Sequence, residues 1–333
     1  MTTYLESLRS GLHRAMSSDE RVYMFGEDIA DPYGGAFKVS KGLGTAFPNR
    51  VRSTPISEAA ITGIATGMAL RGMRPVVEIM FGDFLTLCAD QIVNHATKFR
   101  GMFADQVSVP MVLRTPMGGG RGYGATHSQS LEKIFLGTPG LNIVAPSHAH
   151  DPGALLAKAI LEGRDPILFL EHKMLYPADL LDPRGPVSVE TVDDGERWPT
   201  ALLRNFDSGM PDVTVIAYGG TARLILPLME EFAAEEIAIL TVLPSRISPL
   251  PEDTLVEAAR RSGRVVVAEE GTGGFNWGSE VAATLNDRLF GQLHKPVRRV
   301  SSAAAIIGAS AESEGDVLID EADIEDAIME VLQ

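Results

Sequence analysis

The chain has a single cysteine in 333 residues, Cys88, so no internal disulfide can form, and this usage suits a reducing cytoplasm. No apolar run approaches the roughly 18–20 residues of a membrane span. The opening residues, Met1-Thr2-Thr3-Tyr4-Leu5-Glu6, lack the basic and then apolar pattern of a secretory leader. Positive charge is scarce: 29 Lys and Arg stand against 44 Asp and Glu, for a formal net charge of -15. Phosphate backbones need a basic face, so neither nucleic acid nor a membrane is expected as a partner. Cys and His never fall at metal-ligand spacing, which argues against an all-protein metal site. A Gly-x-Ser-x-Gly elbow and a phosphate-binding Gly-Lys-Ser/Thr loop are absent too.

What is present is an ordinary globular composition, 45% hydrophobic and 22% charged, long enough for two cores. Strand-like apolar runs at 22–26, 74–80, 110–115, 141–145 and 166–170 alternate with helical patterns at 57–71, 84–99 and 152–161. In the first of these helices Ile61, Ile64, Ala65, Met68 and Ala69 recur at helical spacing, and Ser57 stands at its N-cap. The stretch around Pro177, Pro183, Pro186 and Pro199 has linker composition. Beyond it the alternation resumes, with strands at 213–218, 237–242, 264–268 and 297–300. Helices fall at 221–234, 251–261, 277–289 and from about 321 to the end. This predicts two α/β domains with mainly parallel sheets, residues 1–180 and 200–333, joined by a linker over 181–199.

Ligands of open α/β sheets gather at the carboxyl ends of strands, which directs attention to the loops there. Glu27 and Asp28 follow the first strand directly. Glu58, in Thr54-Pro55-Ile56-Ser57-Glu58, opens a helix. It reads either as a first-turn carboxylate favoured by the helix dipole or as an acid held near a heterocyclic nitrogen. Phe84 can stack on a flat ring and Met80 can fill the same pocket, with core packing as the alternative for both. Residues 116–124 hold five glycines, Gly118, Gly119, Gly120, Gly122 and Gly124. No apolar helix opens on this run, so it reads as a mobile loop rather than a dinucleotide site. His127 follows, and can act as acid, base or donor near neutral pH, or simply be a hydrogen-bonded structural histidine.

Together the segments resemble one family. Phe25-Gly26-Glu27-Asp28, Thr54-Pro55-Ile56-Ser57-Glu58, Arg74-Pro75-Val76-Val77-Glu78-Ile79-Met80-Phe81 and His127-Ser128-Gln129-Ser130-Leu131-Glu132 are similar to segments of the β subunits of pyruvate and branched-chain 2-oxo acid dehydrogenases. So are Asp90-Gln91-Ile92-Val93-Asn94, Glu171-His172-Lys173-Met174-Leu175-Tyr176, Ser248-Pro249-Leu250 and Glu269-Glu270-Gly271-Thr272-Gly273-Gly274-Phe275. The resemblance runs nearly end to end. It implies an N-terminal domain that binds the pyrimidine of thiamine diphosphate and a C-terminal transketolase-like α/β domain. It also implies oxidative decarboxylation of a 2-oxo acid with acyl transfer to a lipoyl group. By resemblance Glu58 hydrogen-bonds N1′ of the aminopyrimidine, Phe84 packs on that ring, and Met80 lines its pocket. Glu27 is a second acid near the cofactor, and His127 assists acyl transfer to a lipoyl domain.

Enzymes of this cofactor hold the diphosphate through Mg²⁺ on a Gly-Asp-Gly segment, and this chain contains none. The resemblance places that motif on an α subunit, in an α₂β₂ assembly, with K⁺ a further candidate ion in the β fold. Departures at Leu87, at Thr126 and in the tail from Ser301 to Gly308 leave the substrate and acceptor open. Two alternatives therefore stand beside the dehydrogenase: a subunit of a two-chain carboligase or acyl transferase, and a non-catalytic structural or regulatory partner.

Overall fold

The structure, a computed structural model, describes residues 2–182, 187–193 and 198–333. Pro183 and Pro186, part of the expected linker, lie outside the described residues. The chain divides into two units.

The first unit comprises Met1–Met117, Phe135–Val144 and Asp151–Asp179. Its strands are β1 (Val22–Gly26), β2 (Val51–Ser53), β3 (Arg74–Glu78), β4 (Val112–Met117), β5 (Asn142–Val144) and β6 (Ile167–His172). They lie in the order β5-β6-β4-β3-β1-β2, every pair parallel. Strands β4 and β6 are buried at every residue, as expected of a parallel sheet covered on both faces. The helices are α1 (Tyr4–Ser18), α2 (Leu43–Ala46), α3 (Glu58–Leu70), α4 (Leu85–Asp90), α5 (Phe99–Met102) and α6 (Pro152–Glu162). The helical pattern expected over 84–99 is broken in the structure: α4 gives way to a wider π-helical turn at Gln91–Ala96 before α5 begins.

Helix α1 is held by a reciprocal capping box, Thr3 accepting from Glu6 N–H and Glu6 from Thr3 N–H. It crosses α6 at two glycines. A Cβ on Gly11 would lie 2.1 Å from the carbonyl oxygen of Gly153, and one on Gly153 would lie 1.9 Å from that of Ser7. Only glycine permits this approach. Ser7 Oγ seals the crossing, donating to Asp151 Oδ1 at 2.7 Å and accepting from Gly153 N at 2.9 Å.

The second unit comprises Gly118–Ile134, Ala145–His150 and Leu180–Gln333. Its strands are β7 (Ser188–Val192), β8 (Thr200–Arg204), β9 (Val213–Ala217), β10 (Ile239–Pro244), β11 (Arg246–Ser248), β12 (Val265–Thr272) and β13 (Arg298–Ser302). Six of them form a sheet in the order β13-β12-β9-β10-β8-β7, parallel from β13 to β10 and antiparallel at β8 and β7. Strand β7 falls inside the stretch read as linker; its exposed edge position gives it little apolar alternation to detect. Helices α7 (Ala222–Ala234), α8 (Glu252–Ser262), α9 (Trp277–Arg288), α10 (Ala311–Gly315) and α11 (Glu321–Leu332) complete the unit. Its core joins Val213, Val215 and Ala217 of β9 to Leu224, Leu228 and Phe232 of α7 and to Ile324, Ile328 and Val331 of α11. The architecture is the expected one: two α/β units with mainly parallel sheets.

Candidate active site

In the first unit, two acids meet at the carboxyl end of β1. Gly26 ends the strand, and a Cβ there would lie 2.8 Å from the carbonyl oxygen of Glu78 on β3, so the neighbouring strands close tightly. Glu27 follows at once. The chain then returns over the same strand end: Thr54 N donates to Gly26 O at 3.0 Å, and four residues later Glu58 begins α3. Ser57 occupies the N-cap position, as expected, but its hydroxyl makes no capping hydrogen bond. Of the predicted apolar stripe, Ile61, Ala65 and Ala69 are buried, whereas Ile64 faces outward at 62% exposure.

Both acids are buried, Glu27 at 8% and Glu58 at 6% exposure. Burial, then the charge of Glu58, then that of Asp28, raises the pKa of Glu27 above the ordinary glutamate range. Its Oε1 is buried without a hydrogen-bond partner among the described residues. An orphaned carboxylate oxygen is costly unless something else meets it. Cys88, one helical turn after Phe84, lies behind the pair. Burial pushes its thiol pKa up to about 11, and Glu58 and Glu27 add to the shift, while a hydrogen bond with Thr62 opposes it. The cysteine is therefore inert at neutral pH and serves as packing.

Aromatic residues flank the acids' strand ends. Phe84 closes the short turn Gly82–Phe84, and its ring meets that of Phe81 edge-on, with centroids 5.9 Å apart. Phe81 in turn meets Phe37 edge-on at 5.7 Å, and Phe37 lies 5.3 Å from Tyr176. Met80 and Phe84 are both half-buried. The sequence reading did not single out Phe37 or Lys173. Lys173 is fully buried with its ammonium 5.3 Å from the Phe81 ring centre.

Beneath this layer is a buried ionic cluster that the sequence reading also missed. Arg114, at 1% exposure on β4, donates through Nε to Glu171 Oε1 at 2.7 Å. It also bonds Glu171 Oε2 on β6 and Glu78 Oε2 on β3. Tyr176 donates its hydroxyl to Glu171 Oε2 at 2.8 Å. Burial raises the pKa of Glu78, with Arg114 opposing and Glu171 adding to the rise. The cluster spans three adjacent strands just below the loops that carry Glu27, Met80 and Phe84. A charged residue in the midst of an all-buried strand was the available signal.

His127 belongs to the second unit and is half-buried. Its N–H donates to Gly124 O at 3.1 Å, and its Nδ1 lies 3.0 Å from Thr126 Oγ1. The glycine-rich segment before it is fastened rather than free. Gly119 N and Ser130 Oγ both donate to Glu270 Oε1 at 2.9 Å, and Gly122 N donates to Glu314 Oε2 at 2.6 Å. Thus Glu27, Glu58, Met80 and Phe84 share the first unit, and His127 stands with the glycine-rich loop in the second. Among the described residues no group of three or more His, Cys, Asp or Glu could hold a metal ion. None of the described helices is long and apolar enough to cross a membrane.

Comparison with known proteins gives a consistent picture. Residues 1–179 match the transketolase pyrimidine-binding domain, and residues 205–324 match the transketolase C-terminal domain. The chain is 36% identical to the pyruvate dehydrogenase E1 component subunit beta-2, mitochondrial, of Oryza sativa subsp. japonica, over 90% of this chain and 78% of that protein. It is 35% identical to the 2-oxoisovalerate dehydrogenase subunit beta of Bacillus subtilis, over 90% and 88%. It is also 34% identical to the acetoin:2,6-dichlorophenolindophenol oxidoreductase subunit beta of Cupriavidus necator, over 88% and 86%. Among solved structures, a split-gene transketolase in an inactive β₄ tetramer superposes with a TM-score of 0.72 at 20% identity, covering 100% of this chain and 99% of that one.

Proposed function

The chain belongs to the transketolase-like family of 2-oxo acid dehydrogenase E1 β subunits, and from that premise we propose that it supplies the pyrimidine-activating half of a thiamine-diphosphate site. The observation that carries this reading is the pair of buried acids, Glu27 and Glu58, at the end of β1, one of them with an oxygen left unmet. An aminopyrimidine presents an exocyclic amine that donates to a carboxylate and ring nitrogens that accept from a protonated carboxyl, and Glu27 Oε1 has no such partner among the described residues. Thiamine diphosphate, when bound, supplies an electron sink for decarboxylation of a 2-oxo acid. Glu58 would hydrogen-bond the pyrimidine nitrogen and hold a proton there, in a site too buried for water to compete. Phe84 and Met80 would bear on the ring's face, with Phe81 and Phe37 buttressing Phe84. Glu27, its proton held more tightly through burial and the charge of Glu58, would be the second acid of the site.

The diphosphate end belongs, in this reading, to a separate α chain that holds Mg²⁺, in an α₂β₂ enzyme of the cytoplasm; a K⁺ ion in the β fold is part of the same proposal. His127 would assist transfer of the acyl group to a lipoyl domain. The test is reconstitution with the cognate partner chain. Glu58→Gln and Glu58→Ala should fold, bind the partner, and lose nearly all decarboxylation of the 2-oxo acid. Undiminished turnover in either variant would refute the assignment.

A second reading, in which the acceptor is not a lipoyl group, is favoured by the likeness to the Cupriavidus necator β subunit. Assaying the reconstituted enzyme with lipoamide and with aldehydes as acceptors separates the two readings.

A further inference from the structure

The glycine-rich segment and His127 form one closed loop. At its neck, Gly118 N donates to Gln129 O at 3.4 Å. A single carboxylate oxygen, Glu270 Oε1, receives Gly119 N from one limb and Ser130 Oγ from the other. At its tip, Gly122 N donates to Glu314 Oε2, and Gly122 takes a φ of 67°, a backbone form that suits glycine. His127 lies on the returning limb between these two points. Glu314 is 1% exposed on α10, and its other oxygen is buried with no partner among the described residues. A side chain committed so deeply to one backbone N–H is not there for solubility.

The two anchors are linked through the segment after β13. Ser302 Oγ donates to Glu270 O at 2.5 Å and accepts from Ile319 N at 3.4 Å. Ala303 N donates to Val317 O at 2.8 Å. A Cβ on Gly119 would lie 2.4 Å from Leu318 Cδ1, so the same segment also covers the loop's first limb.

We infer that Glu270 and Glu314 are positioning residues for His127: they lock the neck and tip of the loop formed by residues 118–130, so that the C-terminal segment of this chain sets where the histidine stands during acyl transfer. This rests on the acyl-transfer reading of His127 given above. A backbone N–H held by a carboxylate is a short, directional tether, and misplacement by about 1 Å lowers rate by up to about a hundredfold. Flexibility in a glycine-rich loop would otherwise be ample for such an error.

The experiment uses the reconstituted complex and whichever of pyruvate or 3-methyl-2-oxobutanoate the wild-type complex consumes. Three variants are compared: Glu314→Ala, Glu314→Gln, which keeps an acceptor for Gly122 N–H, and Glu270→Ala. Three readouts apply: dye-coupled decarboxylation with 2,6-dichlorophenolindophenol, acylation of a lipoyl domain, and amide hydrogen exchange over residues 118–130. Glu314→Ala should accelerate exchange in the loop and lower lipoyl acylation about tenfold or more, with dye-coupled turnover within about twofold of wild type. Glu270→Ala should do the same, and Glu314→Gln should be close to wild type in all three. Unchanged loop exchange in Glu314→Ala, or parallel loss of both activities, overturns the inference; so does equal damage in Glu314→Gln. His127→Ala tells the two levels apart. If it spares lipoyl acylation, the underlying reading of the histidine fails. If it abolishes acylation while Glu314→Ala does not, only the positioning role fails.

Discussion

Replacing Arg114 by methionine removes the guanidinium that lies between two buried carboxylates and leaves an aliphatic chain of similar length. Arg114 is the central member of the cluster, because β4 lies between β6 and β3 and its side chain reaches an acid on each. Burial opposes the charge on Arg114, yet Glu171 and Glu78 more than offset that, holding its pKa above the usual arginine value. Breaking such a buried arrangement costs about 3–5 kcal/mol, since the acids left behind have neither water nor a counter-charge. For a unit of this size each kcal/mol lowers the melting temperature by about 2–4 °C, so a fall of about 6–20 °C is expected. Glu78 can escape by taking up a proton, its pKa being raised in the intact protein. Carboxylates whose folded pKa is raised stabilise the fold below their unfolded pKa and lose that contribution as pH rises through the folded one. The penalty for Arg114→Met should therefore be smaller at pH 5 than at pH 8. Glu78→Gln, a neutral copy of the protonated acid, should cost no more than about 1 kcal/mol. Thermal unfolding monitored by far-ultraviolet circular dichroism at both pH values decides the matter. A melting point for Arg114→Met within about 2 °C of wild type, or a Glu78→Gln loss as large as the arginine's, would refute this account of the cluster.

Gly153→Ala should destabilise the first unit by about 3 kcal/mol or more, because the new methyl would meet the Ser7 carbonyl backbone, which no rotamer change relieves; a denaturant midpoint equal to wild type would contradict it. Glu27→Gln should leave the isolated chain as stable as wild type or slightly more so, since it removes a buried charge facing Glu58, while turnover of the reconstituted complex falls; a marked drop in melting temperature would place Glu27 among structural acids instead. Acid sensitivity should come from His148 and His150, whose pKa values burial lowers to about 4. Both are neutral in the fold, so below their unfolded pKa of about 6.5 the unfolded chain binds more protons and stability falls toward pH 4, by about 3 kcal/mol per imidazole. Glu269 has the opposite sign: burial raises its pKa to about 8, so its contribution is present below the ordinary glutamate range and is lost as pH rises through about 8. Melting temperatures between pH 4 and 9 should thus pass through a maximum, and a His148→Gln/His150→Gln double variant should flatten its acid side; an acid side left as steep as in wild type would exclude the histidines.

Much of the fold is legible in the sequence because β4, β6, β9 and β10 are buried runs in a chain whose helices alternate with them. The errors have particular causes. Helix α1, absent from the expected helices, carries its signals in the sequence: a Thr3-x-x-Glu6 capping box, then Tyr4, Leu8, Leu12 and Met16 on one buried face. The break between α4 and α5 depends on packing that no local propensity encodes, and Ile64 faces outward because a helical stripe fixes spacing, not what covers each position. At the candidate site the balance differs. Glu27, Glu58, Met80, Phe84 and His127 could be nominated from short runs of sequence, because each adjoins a strand end or a glycine-rich turn. The polar groups around them could not. Arg114 joins residues 36 and 57 positions away, and Glu314 reaches a glycine 192 positions earlier. The nominated residues sit in local motifs, whereas the ion pairs and hydrogen bonds around them join residues far apart in the sequence. The glycine-rich loop is the sharpest instance: its composition reads as freedom, and two acids, from β12 and from near the end of the chain, withdraw that freedom. A histidine on such a loop can be placed as accurately as one on a strand, provided that the distant carboxylates remain.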